Sequence, residues 1–131
     1  MTPPPGTIMR AAHYPGRAPI DAYGDGGFRF AGMSHRGSLL CLPSGIFAWS
    51  VVSPADMDVE SLAGVIAEAD DIDVLLVGTG RDLVPVPKPL KEALSGVRIV
   101  AEPMSTGAAV RTFNVLLAEE RAVAAALIAV D

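Results

Sequence analysis

The feature that most constrains the fold is a run of four aliphatic residues, Val74-Leu75-Leu76-Val77, which ends at Gly78. A continuous apolar run of strand length, bounded by glycine, is typical of a β-strand that is buried on both faces. Such a strand lies inside a sheet, and other elements must cover that sheet on each side. The run therefore predicts a central strand in a layered α/β domain.

Residues with helical spacing precede this strand. Val59, Leu62, Ala63 and Ile66 fall at positions i, i+3, i+4 and i+7, so they share one face of a helix. Acidic residues lie near the amino end of this stretch, where the helix dipole favours carboxylates. The pattern predicts an amphipathic helix of roughly three turns before the central strand.

Helix and strand continue to alternate after the central strand. Residues 90–94 predict a short helix ended by Gly96, and residues 97–101 predict a further strand. Ser105 or Thr106 can cap a third helix. The apolar stripe of that helix consists of Ala109, Phe113, Leu116 and Leu117. This order predicts a βαβαβ unit with parallel strands.

The two ends of the chain have other patterns. Residues 1–19 are rich in proline and glycine, which predicts an amino-terminal arm, whereas residues 20–52 consist of short segments separated by glycine, which predicts antiparallel strands. The stretch 42–46 predicts a hairpin, because proline presets φ in a turn and glycine accepts positive φ. Residues 122–130 contain five alanines, which favour helix, but their place after a βαβα series favours a last strand, and we predict a strand.

These elements together define the expected fold class. We predict a three-layer α/β domain over residues 20–131, with a mixed central sheet that has a parallel βαβαβ half and an antiparallel amino-terminal half. A length of 131 residues with 50% hydrophobic residues fits one compact domain.

Composition excludes several classes of function. A formal net charge of -5 opposes binding to nucleic acid. The single Cys41 cannot form an intramolecular disulfide, and with His13 and His35 it cannot form a structural zinc site of the usual four-ligand type. The longest apolar run is too short to span a membrane, and no targeting signal opens the sequence, so we predict a cytoplasmic protein with at most peripheral membrane association.

The familiar catalytic and nucleotide-binding motifs are not complete in this sequence. Residues 78–83 begin with G-x-G but have no third glycine, and Lys88 has no phosphate-loop context. His13, His35, Ser38 and Asp25 have no spacing typical of a catalytic triad, and the acidic residues 70–73 are typical of a solvated helix end. We therefore assign no catalytic residue, metal or cofactor.

One candidate ligand site lies where two predicted parallel strands end, because ligands bind beyond the carboxyl ends of such strands. Its residues are Gly78, Thr79, Gly80, Arg81, Ser105, Thr106 and Arg111. Glycines, hydroxyls, helix amides and an arginine fork suit a small anionic ligand. The structural alternative is that the glycines shape turns, the hydroxyls cap a helix, and Arg81 and Arg111 form surface salt bridges.

A candidate partner surface consists of Phe28, Phe30 and Trp49. Phe28 and Phe30 are two residues apart on a predicted strand and so share one face. Trp49 is the only tryptophan, and tryptophan often anchors protein partners. Burial in the core is the simpler interpretation of all three.

Several blocks of the sequence resemble one known family, the uncharacterised archaeal and bacterial domains that also include mitochondrial respiratory complex I assembly factor 3. The blocks are 20–24, 27–28, 36–40, 77–80 and, most specifically, 102–116. The resemblance covers about residues 20–128. It implies a three-layer α/β fold, a strand at the tail, no cofactor and no agreed catalytic residues.

Two functional hypotheses follow from the sequence. The resemblance implies a non-enzymatic binding or assembly protein, whose partner is a polypeptide such as a respiratory-complex subunit. The residues at the strand ends imply instead a binder or enzyme for a small anion. Because no Arg-rich and Ser-rich transit segment is present, we do not expect a mitochondrial address.

Overall fold

The computed structural model of the protein describes residues 14–131. Strands and helices follow one another in the order that the sequence predicts, with one additional strand in the amino-terminal half. The elements are β1 (Ile20–Gly24), β2 (Gly27–Phe30), β3 (Met33–Arg36), β4 (Ser38–Leu42), β5 (Gly45–Trp49), α1 (Ala63–Ala67), β6 (Val74–Gly78), α2 (Lys88–Gly96), β7 (Val100–Met104), α3 (Thr106–Ala118) and β8 (Val123–Leu127). Short 3-10 turns precede and follow α1.

The main sheet is mixed, as predicted. Its five strands have the order β5-β4-β8-β6-β7. Strand β6 pairs in parallel with β7 and β8, whereas β4 pairs antiparallel with β5 and β8. The tail is therefore a strand, and it lies in the middle of the sheet with every residue buried.

Side chains alternate between two cores, one on each face of this sheet. In β8, Ala124 and Ala126 face one core, while Val123, Ala125 and Leu127 face the other. Successive residues of a strand point to opposite faces, so a strand covered on both sides is apolar throughout.

Three layers result from this arrangement. Helix α2 packs on one face through Leu90 and Leu94, together with residues of α1. Helix α3 packs on the other face through Ala109 and Phe113, beside a second sheet of order β1-β2-β3. The chain crosses through α2 from β6 to β7, and then through α3 back past β6 to β8, in the opposite direction along the sheet. Because both crossovers have the same hand, α2 and α3 lie on opposite faces.

The predicted hairpin is confirmed. Leu42 pairs with Gly45 across a two-residue turn made of Pro43 and Ser44. Strand β3 was not predicted, because residues 33–36 are mostly exposed and carry no apolar alternation. It completes the second sheet by pairing with β2.

The predicted helix of three turns is wrong in length. Residues 54–71 form 3-10 turns around α1, which has only five residues, and Val59 is 41% exposed. The Ser61 amide donates to the Asp58 carboxylate at 2.8 Å, and the Ser61 hydroxyl donates to the Asp58 carbonyl at 2.7 Å. Such local bonds compete with the helix ladder, and Gly64 weakens the helix further.

Part of the predicted amino-terminal arm lies among the described residues. Tyr14 forms an antiparallel bridge with Ile46, and Ala18 is buried in the core that contains α3. Residues 1–13, which include His13, lie outside the described residues.

Candidate functional site

The residues of the predicted ligand site meet at one edge of the main sheet. The Thr106 amide donates to the Gly80 carbonyl at 2.8 Å, and the Gly80 amide donates to Thr106 Oγ1 at 3.0 Å. The carboxyl end of β6 therefore lies against the start of α3, as parallel strands at a common edge require. We call this region, residues 78–81 with 105–107 and Arg111, the arginine rim.

The three hydroxyl groups of the arginine rim are engaged within the fold. Thr106, which is fully buried, donates to the Ile128 carbonyl at 2.7 Å. Thr79 Oγ1 accepts from the Val84 amide at 2.9 Å and lies 2.6 Å from the Asp82 carbonyl oxygen. Ser105 caps α3 by accepting from the Ala108 amide at 3.3 Å. These hydroxyls fix the loops in place, which agrees with the structural interpretation of them.

Gly78 also has a packing role. A Cβ at this position would lie 3.0 Å from the Thr106 Cα and 3.1 Å from a Leu127 methyl group. Glycine thus allows β6 to approach the start of α3 closely. Gly80 differs, because its φ of 103° is favourable only for glycine and nothing lies near its Cβ position.

The two arginines of the rim remain free of partners among residues 14–131. Arg81 and Arg111 are exposed and line one shallow depression of about 350 Å³. Neither guanidinium makes a salt bridge or hydrogen bond with a described residue, and the salt bridge that does form in this part of the chain joins Arg121 to Glu119 at 3.9 Å. The expected surface salt bridges of Arg81 and Arg111 are therefore absent from the described structure.

Tyr23 is a wall of this depression that the sequence-based site did not include. Its ring lies on the first turn of α3, where a Cβ at position 107 would overlap the Tyr23 hydroxyl. Only glycine leaves space for this contact. The signal available in the sequence was the glycine directly after the cap of α3, a position where other residues favour the helix more strongly.

Asn114 holds the strand that carries Tyr23. Its amide group accepts from the Ile20 amide at 2.8 Å and donates to the Ile20 carbonyl at 2.8 Å. The pairing of β1 with β2 shifts register between Ile20 and Ala22, and Asn114 satisfies the backbone there. Asparagine inside a helix is unfavourable, which was the available clue to a specific role.

The candidate partner surface is not exposed. Phe28, Phe30 and Trp49 are 3%, 1% and 6% exposed, and they belong to the two cores. The hypothesis of an exposed partner surface at these side chains is therefore wrong, and their burial in the core, the simpler interpretation from the sequence, is confirmed. Large apolar side chains on these strands face a covering layer, because β1-β2-β3 packs on α3 and the main sheet is covered on both faces.

The Cys41 thiol is buried in the fold. Burial raises the pKa of the Cys41 thiol to about 12, so the neutral thiol persists at physiological pH. Over residues 14–131, no three His, Cys, Asp or Glu side chains are placed to hold a metal ion. In the same part of the chain, no helix is long and apolar enough to cross a membrane.

Comparison with known families identifies the family of this chain. Residues 20–128 match a family described as Protein of unknown function (DUF498/DUF598). The chain belongs to this family. The resemblance noted from the sequence is thus confirmed over the whole span that was expected.

Relatives of this DUF498/DUF598 protein include both bacterial and vertebrate proteins. An uncharacterised protein of Rhodobacter capsulatus is 42% identical over 91% of this chain and 90% of its own length. NADH dehydrogenase [ubiquinone] 1 alpha subcomplex assembly factor 3 of Danio rerio is 37% identical over 83% of this chain. The match spans 63% of that assembly factor, less than two thirds of its length.

A solved structure shares the fold at high identity. The crystal structure of a protein from Bartonella henselae, described as an outer membrane protein, superposes with a TM-score of 0.88 at 59% identity. The match covers 91% of this chain and all of that chain. The three-layer α/β architecture is therefore that of a known structural group.

Proposed function

We propose that the protein is a non-enzymatic, assembly-factor-like protein that binds a polypeptide partner in the biogenesis of a respiratory complex. The observation that carries this proposal is the similarity to assembly factor 3 of Danio rerio, which extends over 83% of this chain at 37% identity. The hydroxyls of Thr79, Thr106 and Ser105 take part in hydrogen bonds within the fold, so the arginine rim gives no support for a reaction with a hydroxyl nucleophile. We also propose that residues 20–131 form a single folded unit, and that the protein is cytoplasmic with at most peripheral membrane contact.

Affinity purification of the tagged full chain from its own source cells, after gentle solubilisation, tests this function. We expect mass spectrometry to find subunits of NADH:ubiquinone oxidoreductase enriched over a tag-only control. A preparation that contains the protein alone, or only proteins that also bind the tag, would contradict the proposal.

A second candidate function rests on the free arginines of the rim. Arg81 and Arg111 line one depression without a partner among residues 14–131, which suits a phosphate or carboxylate ligand. Calorimetry with inorganic phosphate and with citrate tests this function. Each substitution, Arg81→Ala or Arg111→Ala, would cost about 1.5–3 kcal/mol of binding free energy if the site is real. No binding of either probe by the unmodified protein would eliminate it.

A further inference from the structure

An apolar groove lies between edge strand β5 and helix α1, on the face of the main sheet that carries α2. Its volume is about 700 Å³, within the range of binding pockets, and Leu40, Leu42 and Phe47 form its floor. The groove exists because α1 has only five residues, so the sheet next to β5 is left partly uncovered. We call this region, the groove with its bordering residues Glu60 and Glu68, the acidic groove.

The wall opposite β5 is made of small residues of α1. Ala63, Gly64 and Ala67 line the groove and are exposed. A Cβ on Gly64 would lie 3.4 Å from a Leu42 methyl group, so larger side chains along this wall would narrow the groove. The space is therefore set by the sequence of α1 as well as by its length.

Carboxylates without cationic partners border this groove. Residues 37–80 contain seven of the fifteen acidic residues of the chain and none of its ten lysines and arginines. Glu60 and Glu68 line the groove, and Asp56 and Asp58 line a depression that shares Glu60 with it. No salt bridge between described residues involves any of these four carboxylates.

From this arrangement we propose that the acidic groove binds a partner-protein segment that carries apolar side chains flanked by lysine or arginine. Apolar side chains would be buried against the floor, and the flanking cations would lie next to carboxylates that have no cationic partner among the described residues. The proposal rests on the proposed function, because it names the surface by which an assembly-factor-like protein would hold its partner.

Charge decides between this occupant and the alternatives. An acidic segment or an anionic lipid surface would be repelled by the carboxylates at the border. A second copy of this chain that docked groove to groove about a two-fold axis would bring two acidic borders into one interface, with carboxylates facing carboxylates. A basic segment would meet neither of these repulsions.

Trp49 makes the groove directly observable. It is the only tryptophan of the chain, it lines the groove, and its indole nitrogen donates to the Ser61 carbonyl at 2.8 Å. The probe is a ten-residue peptide with a central block of leucines flanked by lysines, and the control peptide carries glutamates in place of the lysines. We expect the lysine peptide to change Trp49 emission saturably and the glutamate peptide to leave it unchanged.

Two pairs of variants of the full chain locate the binding. Glu60→Lys should weaken binding of the lysine peptide at least tenfold. Glu92→Lys changes the net charge equally at an exposed position of α2, and its affinity should stay within twofold of the unmodified protein. Ala67→Phe should fill the groove and abolish the emission change, whereas Ala118→Phe, at the exposed end of α3, should not. Circular dichroism and thermal melting confirm that each variant is folded.

The outcomes separate this proposal from the proposed function. The groove proposal would be overturned, while the proposed function stands, if respiratory subunits co-purify equally with the unmodified protein, Glu60→Lys and Ala67→Phe. If no respiratory subunit co-purifies even with the unmodified protein, the proposed function is contradicted. The peptide titration would then still test whether the groove binds a basic apolar segment.

Four results, three from the peptide titration and one from ultracentrifugation, would overturn the groove proposal. Equal binding by both peptides, or by Glu60→Lys and unmodified protein, would show that the charges at the border do not select the occupant. A tenfold gain in affinity with Arg10→Glu would identify the chain's own amino-terminal segment as the occupant. Loss of a dimer in Ala67→Phe, measured by ultracentrifugation, would identify a second copy.

Discussion

The arginine rim and the acidic groove lie at different places on one sheet and differ in which of their polar groups are free. At the rim the hydroxyls of Thr79, Ser105 and Thr106 are engaged within the fold, and only the two exposed arginines are free of described partners. At the groove the floor is apolar and its bordering carboxylates have no cationic partner. The comparison shows that the carboxyl edge of a parallel sheet is not automatically a ligand site, because its polar residues can be required to hold the loops together.

The largest expected effect tests whether the rim hydroxyls are structural. Thr106→Val keeps the side-chain shape but removes the donor to the Ile128 carbonyl and the acceptor for the Gly80 amide. We expect the free energy of unfolding to fall by about 2–4 kcal/mol, because buried polar groups lose their partners. Urea denaturation measures this, and Thr106→Ser should recover most of the loss. Unchanged stability of Thr106→Val would break the contrast between rim and groove.

A smaller effect tests the wall of the rim. Gly107→Ala should displace Tyr23 from the first turn of α3. We expect this displacement to lower the free energy of unfolding by about 1 kcal/mol, which partly offsets the helix-forming advantage of alanine. In a Tyr23→Ala background the same substitution should cost nothing or stabilise the protein. A double-mutant cycle from thermal melts gives the coupling energy. A coupling near zero would mean that the ring does not rest on Gly107.

The smallest effect distinguishes the two carboxylates of the groove. Glu68 accepts from the Ser44 amide at 2.9 Å and from the Ser44 hydroxyl at 2.6 Å, whereas the Glu60 carboxylate makes no hydrogen bond with a described residue. Glu68→Gln should lower the free energy of unfolding by about 0.5–1 kcal/mol, and Glu60→Gln should leave it unchanged. Chemical denaturation of both variants provides the measurement. Equal losses would show that both carboxylates are structural and would weaken the case for a free border.

Much of the architecture could be predicted from local sequence. The aliphatic run at 74–77 predicted a strand buried on both faces, and Leu76 faces one core while Leu75 and Val77 face the other. Periodicity and capping predicted α3, and its cap is Ser105, one of the two residues that the sequence offered. Such features are readable because each depends on residues close together in the chain.

The site was less predictable, because its properties depend on distant partners. Sequence placed Thr106 at a strand end but could not show that its hydroxyl reaches Ile128. Nor could the sequence show that the Asn114 side chain holds the backbone of Ile20, which is 94 positions away. For Phe28, Phe30 and Trp49 the sequence left a partner surface and burial in the core as alternatives. Only the structure decided for burial, since the layers that cover these side chains come from elsewhere in the chain.

The sequence by itself therefore determined the alternation of strands and helices, the mixed sheet, the family and the concentration of negative charge in residues 37–80. Only the tertiary structure decided which polar groups are engaged, which aromatic residues are buried and where a groove stays open. Periodicity and capping are local and are written in neighbouring residues. Burial, hydrogen bonding and cavity shape are set by contacts between segments far apart in the chain, so they exist only once the layers have packed.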